Sequence, residues 1–376
     1  MSTPVRPALS PARSGMLTLN VGSSGIKWAI FASGNPPHRV LAGVEKRDGA
    51  IALMDRLERE PAFATVGAVG HRVVHGMRHV VPELVTDALL EELRAMSPVV
   101  PEHLPYEIAL MEELRQRHPA LPQVACFDTA FHRGMPRVAK LLPIPRRLDA
   151  MGVQRYGFHG LSYEFLAGEL ARQAGPAAAR GRVILAHLGG GASLAALRDG
   201  ESVDTSMGFT PASGLMMGTR SGDIDAGLVA YLARTERTTA EEFERIASHE
   251  SGLLGVSETS ADMRELLALE ARDVRAAEAV ALFCYQARKW IGAFAAALDG
   301  LDTLVFSGGI GENAPAVRER ICAGLGFLGV NLDTVANAAG AALISAPSSS
   351  VTVRVIRTDE ELVIARSAYR VLAAAA

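Results

Sequence analysis

The residue best suited to chemistry is Arg220, which stands in an irregular stretch that runs from Asp204 to Asp225. The stretch, DTSMGFTPASGLMMGTRSGDID, contains four glycines and a proline and shows no sustained helical or strand period. Irregular segments of this length inside a compact domain are uncommon and usually functional. Small residues flank Arg220 on both sides, and an arginine that a ligand can approach closely binds a carboxylate or a phosphate. The stretch therefore predicts an oxyanion site.

Three glycine-rich turns could bind phosphate oxygens. NVGSSGIK spans Asn20 to Lys27, GGG spans Gly189 to Gly191, and SGGIGEN spans Ser307 to Asn313. Backbone N–H groups in such turns converge and suit an anion, although no P-loop pattern occurs in the chain. The third turn precedes the helical pattern PAVRERICAGL, for which Asn313 is the predicted N-cap. Together the turns favour a nucleotide site.

Three further motifs each contain a candidate catalytic or binding residue next to apolar or small residues. HRVVHG contains Arg72, FDTAFH contains Asp128 and YGFHG contains His159. Each of these residues alone is more often structural than catalytic. Because they occur together with the phosphate-binding turns and the arginine loop, the three favour a site for phosphoryl transfer.

The motif TDEELVIA opens the last helical pattern of the chain. Thr358 and Glu361 have the spacing of a capping box. Glu360 then has no capping role, which leaves its carboxylate available to hold a metal ion through water.

The elements that must position these residues follow a repeated layout. Residues 17–47 and 183–206 each predict three strands, of which the first two are joined by a turn rich in glycine and small residues. The other apolar patterns predict helices over 86–96, 105–117 and 272–298 and short strands over 124–127 and 304–306. The longest of these helices is expected to be buried between domains or in a dimer. The mixture predicts two α/β domains, each with a mixed sheet, and a binding cleft between them.

The composition excludes several classes of protein. The chain has 376 residues, of which 49% are hydrophobic and 21% charged, so it can form two well-buried domains. A net charge of −3 provides no electrostatic footprint for nucleic acid. Neither a signal peptide nor a membrane span is predicted, and the three cysteines are expected to be reduced and buried. Residues 1–15 predict a disordered leader. These features favour a cytoplasmic protein.

Eight motifs in order resemble those of the acetate kinase family, within the actin-like acetate and sugar kinases. They are NVGSSGIK, HRVVHG, FDTAFH, YGFHG, the arginine loop, DMR, GGIGEN and TDEELVIA. The resemblance spans about nine tenths of the chain and implies a duplicated actin-like (ribonuclease H-like) α/β fold. It implies an N-terminal domain of residues 16–154 plus 358–376 and a C-terminal domain of residues 155–357 for nucleotide binding and dimerisation. The implied activity is reversible phosphoryl transfer from ATP to acetate, which produces acetyl phosphate and ADP, in a homodimer.

The resemblance also implies a role for each matching residue. Asn20 and Glu360 would hold Mg²⁺, or Mn²⁺ in its place, through water, and Lys27 would contact the nucleotide phosphates. Arg72 would bind the substrate carboxylate and Asp128 would orient groups in the site, while His159 and Arg220 would stabilise the transferring phosphoryl group. Val74, Phe158 and Pro211 would line the acyl pocket. The nucleotide would contact His187, Leu188, Gly189, Gly190, Gly191, Asp262, Met263, Arg264, Gly309, Ile310, Gly311, Glu312 and Asn313.

Three positions depart from the family pattern. Gly25 stands where a serine is usual and Gly190 where an asparagine is usual, so two side-chain donors near the phosphates are missing. Glu102 stands where the acyl pocket usually has a leucine. A carboxylate there would repel an anionic substrate unless it is paired or turned to solvent. We therefore expect weaker phosphate contacts, and either a wetter pocket that accepts a polar acid or a Glu102 side chain that points outward.

Alternatives remain at this stage. The same chemistry could act on propionate or a polar acid or use another phosphoryl donor, or the chain could be a non-catalytic actin-like nucleotide-binding protein. A serine hydrolase using Ser193 or Ser213 is disfavoured because no G-x-S-x-G elbow occurs. An acetate-like acid is already ionised at neutral pH, so a strong base is unnecessary. We therefore expect Asp128 to hold an arginine or a water.

Overall fold

Two mixed β-sheets organise the computed structural model, which describes residues 13–22, 25–47 and 49–375. The first sheet contains β1 (Gly15–Gly22), β2 (Gly25–Ala32), β3 (His38–Glu45), β4 (Val66–Val73), β5 (Glu83–Leu84) and β6 (Gln123–Phe127). The second contains β7 (Val183–Leu188), β8 (Ala192–Arg198), β9 (Glu201–Thr205), β10 (Thr303–Ser307) and β11 (Thr352–Val355). This arrangement confirms the predicted α/β class.

The two sheets share one topology over five strands. Their orders are β3-β2-β1-β4-β6-β5 and β11-β10-β7-β8-β9. In each sheet a three-stranded antiparallel meander is followed by two strands parallel to its first strand. The repeat predicted over 17–47 and 183–206 is thus confirmed as β1–β3 and β7–β9.

Sixteen α-helices accompany the sheets in the described part of the chain. They are α1 (Ala50–Leu57), α2 (Asp87–Met96), α3 (Leu104–Arg117), α4 (Arg137–Lys140), α5 (Arg146–Ala150), α6 (Gly160–Ala174), α7 (Pro176–Arg180), α8 (Gly227–Thr235), α9 (Ala240–Arg245), α10 (Gly252–Ser257), α11 (Met263–Leu269), α12 (Val274–Ala297), α13 (Gly308–Asn313), α14 (Pro315–Cys322), α15 (Thr334–Ala338) and α16 (Glu360–Ala375). The predicted helices 86–96, 105–117 and 272–298 correspond to α2, α3 and α12. None of the helices described combines the length and apolar character needed to cross a lipid bilayer.

The first sheet is packed on both faces, because consecutive residues of β1 and β4 are buried and their side chains point to opposite faces. Leu17, Leu19 and Val21 of β1 belong to one buried cluster that includes α1 and α3. Met16 belongs to the cluster on the other face, which includes α16. Helix α16 packs close to β4 at Gly70, where a Cβ atom would lie only 2.6 Å from the Ile364 side chain. The burial of both faces fixes the register of the strands that carry Asn20 and Arg72.

The described chain forms two compact units. Unit 1 comprises the residues up to Phe131, Gly160–Phe165 and the residues from Asp359 onward, and it contains the first sheet. Unit 2 comprises His132–His159 and Leu166–Thr358, and it contains the second sheet. The predicted domain boundaries stay a prediction. The three cysteines are free and buried, as predicted.

Two predicted caps are wrong. Asn313 does not cap α14, because SGGIGEN folds into α13 and Ala314 is the N-cap of α14. The capping box at the last helix is also wrong, because α16 begins at Glu360 and Asp359 Oδ1 accepts a hydrogen bond from Leu362 N at 3.0 Å. The cap lies one residue later than predicted, and this shift frees the Glu361 carboxylate for another partner. Most of the predicted leader, and Ser23 and Ser24 of the first turn, lie outside the described residues.

Candidate active site

In unit 1, a buried arginine and a buried aspartate form an ion pair at the ends of adjacent parallel strands. Arg72 lies near the end of β4, and Asp128 directly follows β6. Asp128 Oδ2 accepts hydrogen bonds from Arg72 Nη2 at 2.7 Å and from Nε at 3.3 Å. Arg72 Nη1 donates to the carbonyl oxygen of Val21. The expectation that Asp128 holds an arginine is confirmed.

The charges around Arg72 keep its side chain cationic. Burial disfavours the charged form, but the carboxylates of Asp128 and Glu360 raise the pKa of Arg72 above its ordinary value. A permanently charged guanidinium in a dry site binds a carboxylate strongly. The environment therefore suits the role predicted for Arg72.

Glu107 lies beside this pair, and the sequence analysis did not identify it. Its Oε2 accepts a hydrogen bond from Val74 N at 3.0 Å, and the residue is 2% exposed. Burial raises its pKa to about 7, although Arg72 opposes the shift. A signal was present, because Glu107 shares the apolar face of α3 with Leu104 and Met111.

Glu102, for which a role in the acyl pocket was predicted, lies in the turn before α3. It is partly exposed, and its carbonyl oxygen accepts a hydrogen bond from Arg47 Nη2 at 2.5 Å. Arg47 also lies over the ring of Tyr106, at 5.1 Å from the ring centroid. These contacts fix the main chain of the turn, and the effect of Glu102 on the acid preference stays a prediction.

A set of oxygen ligands lies at the start of α16. Asn20 Nδ2 donates to Glu360 Oε2 at 2.7 Å and to Glu361 Oε1 at 2.9 Å. Burial and the adjacent Glu360 carboxylate raise the pKa of Glu361. Lys27 is directly opposite Asn20 in the β1–β2 hairpin. Glu361 was not predicted as part of this set, because its spacing from Thr358 is that of a capping box.

The donor set fits a magnesium ion that keeps most of its water. Two adjacent carboxylates and one amide provide hard oxygen ligands, and like charges held together favour a bound cation. Among the described residues no group of three or more acidic, histidine or cysteine side chains could enclose a metal. This thin set suits Mg²⁺, which dehydrates reluctantly and is usually held by one or two carboxylates.

In unit 2, His159 is held in a defined orientation. Its Nδ1 lies 2.8 Å from Ser193 Oγ, and its ring stacks on His187 with centroids 4.4 Å apart. The backbone of His159 is left-handed, with φ of 58°, which is uncommon outside glycine. The preceding Gly157 also has a positive φ of 76°, and a Cβ atom there would clash with Thr205 and His132. The YGFHG motif therefore places the imidazole by local backbone strain.

The loop that contains Arg220 is fixed to the second phosphate turn. Gly218 N donates to Gly190 O at 3.1 Å, and Arg220 Nη1 donates to Pro211 O at 3.2 Å. A Cβ atom at Gly191 would lie 3.2 Å from His159 Nε2 and 3.7 Å from Arg220 Nη1. The imidazole of His159 and the guanidinium of Arg220 therefore both approach the same point beside Gly191. The segment between β9 and α8 has no helix or strand, as predicted, and its methionines Met207, Met216 and Met217 are buried.

Unit 2 also contains a cavity of about 540 Å³ beside the third glycine-rich segment. The volume suits a small molecule such as a nucleoside. The cavity is lined by Glu169, Gln173, Glu312, Asn313, Pro315, Arg318, Ala338, Ala339, Gly340, Ala342, Val355, Ile356 and Arg357. Most of these residues were missed because small apolar side chains provide no chemical signal in the sequence.

Glycines bring the predicted nucleotide segments of unit 2 together. Gly308 has φ of 76°, and its Cβ atom would lie 2.6 Å from Leu188 O. Gly189, where a Cβ would lie 3.5 Å from Gly309 N, adjoins the start of α13. Glu312 has a structural role as well, because its Oε1 accepts from Gly308 N at 3.0 Å and from Thr358 N at 3.2 Å.

Three predicted nucleotide contacts have other local roles. Asp262 is the N-cap of α11 and pairs with the largely exposed Arg264, whose guanidinium lowers the pKa of the aspartate. Met263 is buried in the core. All three lie outside the lining of the cavity, so their contact with a nucleotide stays a prediction.

The two glycines that depart from the family pattern differ in the space around them. A Cβ atom at Gly25 would lie 2.6 Å from Glu45 O. A Cβ atom at Gly190 would have nothing within 4 Å, and the residue is exposed. A side chain could therefore be accommodated at Gly190 but would require a shift of the main chain at Gly25.

Comparison with known proteins places these features in a family context. The model of the Acetokinase family matches residues 33–366. The acetate kinase of Rhodopseudomonas palustris (strain TIE-1) is 45% identical over 390 residues, which cover 94% of this chain and 98% of that protein. The crystal structure of Porphyromonas gingivalis acetate kinase superposes with a TM-score of 0.85 at 32% identity, and the match covers 96% of this chain and 100% of that one. A propionate kinase from Francisella tularensis subsp. tularensis SCHU S4 superposes with a TM-score of 0.87 at 34% identity, over 94% and 98% of the two chains.

Proposed function

The chain belongs to the Acetokinase family, and on this basis we propose that it is an acetate kinase that transfers the γ-phosphoryl group of ATP to acetate. The products are acetyl phosphate and ADP, and the reaction is reversible. The observation that carries the proposal is the convergence of His159 Nε2 and Arg220 Nη1 at Gly191, in a turn that suits phosphate oxygens. A protein that only binds nucleotide needs no such pair of side chains at this turn.

On the acceptor side, Arg72 binds the carboxylate of acetate. The anion is already ionised at neutral pH, so its oxygen attacks without a strong general base. Asp128 is a positioning residue here, because its Oδ2 accepts two hydrogen bonds from the Arg72 guanidinium and holds that guanidinium in place. The apolar residues proposed for the methyl group are Val74 in unit 1 and Phe158 and Pro211 in unit 2.

On the donor side, the transferring phosphoryl group is stabilised by His159 and Arg220. Negative charge on its equatorial oxygens must be neutralised while the two reacting oxygens stay in line. The Gly189–Gly191 turn supplies backbone N–H groups, and the cavity beside α13 holds the adenosine. Its lining of Pro315, Ala338 and Ile356 suits a purine ring.

The proposal includes a magnesium ion at Asn20, Glu360 and Glu361, with Mn²⁺ as an alternative. When it is bound, the ion neutralises phosphate charge. Lys27, opposite Asn20 in the hairpin, adds a further positive charge for the phosphates.

Propionate is the second candidate acceptor, because the fold is equally close to that of a propionate kinase. An acid with a polar group remains a third, since Glu102 lies in the turn before α3. We also propose that the enzyme works in the cytoplasm, where ATP is available and its three free cysteines stay reduced.

We propose further that the enzyme is a homodimer. Helix α8 supports this, because its apolar residues Leu228, Val229 and Tyr231 are exposed. The buried side of α12 packs within its own unit against α10, α11 and α14, so only its exposed residues remain for a partner.

The proposal is tested by a hydroxamate assay for acyl phosphate with ATP and Mg²⁺. Acetate, propionate, butyrate, lactate and glycolate are compared, and we expect acetate to have the highest kcat/KM. In Arg220→Ala, kcat should fall by about 10²–10³-fold, because one preorganised charge donor to the transition state is lost.

Arg275→Ala is the matched control, because this exposed arginine lies in the same unit, pairs with Glu258 and is outside the proposed nucleotide and acceptor sites. Its kcat should stay near that of the wild type. If acyl phosphate formed only with propionate or only with a hydroxylated acid, that acid would replace acetate as the proposed substrate. Unchanged turnover in Arg220→Ala would contradict the proposed role of the arginine loop.

A further inference from the structure

Glu107 is a buried carboxyl group that the proposed reaction does not use. Its Oε2 accepts from Val74 N at 3.0 Å, while its Oε1 is buried and has no hydrogen-bond partner among the described residues. Val74 is two residues after Arg72 on the same strand end. Glu107 is therefore joined directly to the main chain that presents the carboxylate-binding arginine.

The surroundings of Glu107 disfavour its ionised form. A buried carboxylate with one oxygen unsolvated and unbonded is costly, and protonation removes most of that cost. The charged groups that face it are Arg72, Arg47 and Asp128. Arg72 is already paired with Asp128 at 2.7 Å, so it cannot fully compensate a second buried carboxylate.

The charge state of Glu107 matters for the acceptor. Arg72 must hold the anionic substrate while it remains paired with Asp128. An ionised Glu107 would place a further negative charge beside the same guanidinium and would oppose the binding of a carboxylate. A neutral Glu107 leaves the positive charge of Arg72 available.

We propose that Glu107 is a positioning residue of the acceptor site, which in its protonated form fixes the Val74 main chain and permits Arg72 to bind the substrate carboxylate. This inference rests on the proposed function, and it adds a residue and a requirement for a proton that the family motifs do not contain. The proton stays on the carboxyl group throughout, and no group is transferred. The pKa of about 7 given above is consistent with a proton that is retained below neutral pH.

The test is the pH dependence of KM for acetate in the wild type and in Glu107→Gln. Glutamine keeps an oxygen for the Val74 N–H bond but cannot ionise. In the wild type we expect KM for acetate to rise about tenfold from about pH 6 to about pH 8.5, because a like charge appears near the substrate. Acetate is ionised throughout this range, so its own titration adds nothing. In Glu107→Gln the rise should disappear, and KM for acetate should stay near the low-pH value of the wild type across the whole range.

Glu112→Gln is the control, because Glu112 lies on the same helix, is partly exposed and pairs with Arg94. It should keep the wild-type profile. A KM profile in Glu107→Gln that still rises with pH would overturn the inference, as would a change confined to kcat. Thermal unfolding of both variants verifies that they are folded.

Infrared difference spectra of the wild type minus Glu107→Gln provide a readout that needs no turnover. A carboxylic-acid band at about pH 6 that disappears at about pH 8.5 is expected. If this band were absent at the lower pH, the inference that Glu107 is protonated would be overturned. If no acid produces an acyl phosphate, the proposed function fails, while the infrared result still decides whether Glu107 carries a proton.

Discussion

At Gly190, the space around the residue would accept a side chain, although the chain has none there. Its carbonyl oxygen accepts from Gly218 N, which connects the phosphate turn to the arginine loop. The residue is exposed, its φ is not positive, and a Cβ atom would meet nothing within 4 Å. No steric reason for glycine therefore exists at this position, in contrast to Gly25.

Gly190→Asn should strengthen ATP binding. An added amide donor at a turn for phosphate oxygens forms a hydrogen bond to a charged group, which contributes about 1.5 kcal/mol. We expect KM for ATP to fall by about tenfold with KM for acetate unchanged, as measured by steady-state kinetics. Gly292→Asn on α12, where a Cβ atom also has open space, is the control. Equal KM values for ATP in Gly190→Asn and wild type would show that the turn does not face the phosphates.

At the scale of elements, Arg318 joins three helices of unit 2. It is fully buried on α14, and its Nη1 donates to the carbonyl oxygens of Gly311 and Glu312 at the end of α13. Its Nε and Nη2 donate to Asn337 of α15, at 2.8 Å each. All four acceptors are neutral, so the guanidinium acts as a clamp on two walls of the proposed adenosine cavity.

Arg318→Met should loosen this clamp. Methionine is similar in length but leaves buried carbonyl groups without donors, each at a cost of about 1–3 kcal/mol. We expect a lower melting temperature and a higher KM for ATP, because the cavity walls lose their fixed spacing. Thermal unfolding measures the first effect, and steady-state kinetics with ATP measure the second.

Arg320→Met is the comparison, since Arg320 lies one half-turn along the same helix and pairs with Glu270 at its partly exposed surface. It should cost less stability and leave KM for ATP unchanged. If both variants behave alike, the clamp has no particular influence on the nucleotide.

The elements were more predictable from the sequence than the site. Alternating apolar residues and glycine turns revealed β1–β3 and β7–β9, because register and burial depend on local pattern. Glu361 was misassigned because a capping box and an ordinary first turn differ by one residue. Glu107 and the small residues of the adenosine cavity were missed because their importance arises from neighbours distant in the chain. Arg220 was found from the irregular stretch around it, whereas the roles of Arg72, Asp128 and His159 came from the resemblance, since each of these three alone is more often structural.

At the scale of the whole molecule, helix α8 exposes apolar side chains. Leu228 and Val229 of α8 are 39% and 38% exposed, and Tyr231 is 56% exposed. Within the described residues, these side chains lie on a helix that has no buried position. An amphipathic helix normally buries one face, so this exposure is consistent with an interface to a second copy.

Tyr231→Glu should weaken the proposed dimer. A charge replaces an aromatic side chain, and such residues contribute about 2 kcal/mol or more at interface centres. The dissociation constant should rise by about thirtyfold or more, as measured by sedimentation velocity or light scattering over a dilution series. Val138→Glu, which alters a valine that is 80% exposed on α4, should leave the mass unchanged. A monomeric wild type at every concentration would contradict the proposed assembly.

The buried thiols have a practical consequence for following the reaction. Burial raises the pKa of Cys126, Cys284 and Cys322 well above neutral, so little thiolate is present to react with maleimides. The native protein should therefore behave in labelling experiments as though it lacked cysteine. A single Gly190→Cys substitution would then accept one environment-sensitive dye at the phosphate turn. Its fluorescence could report the arrival and departure of nucleotide in real time.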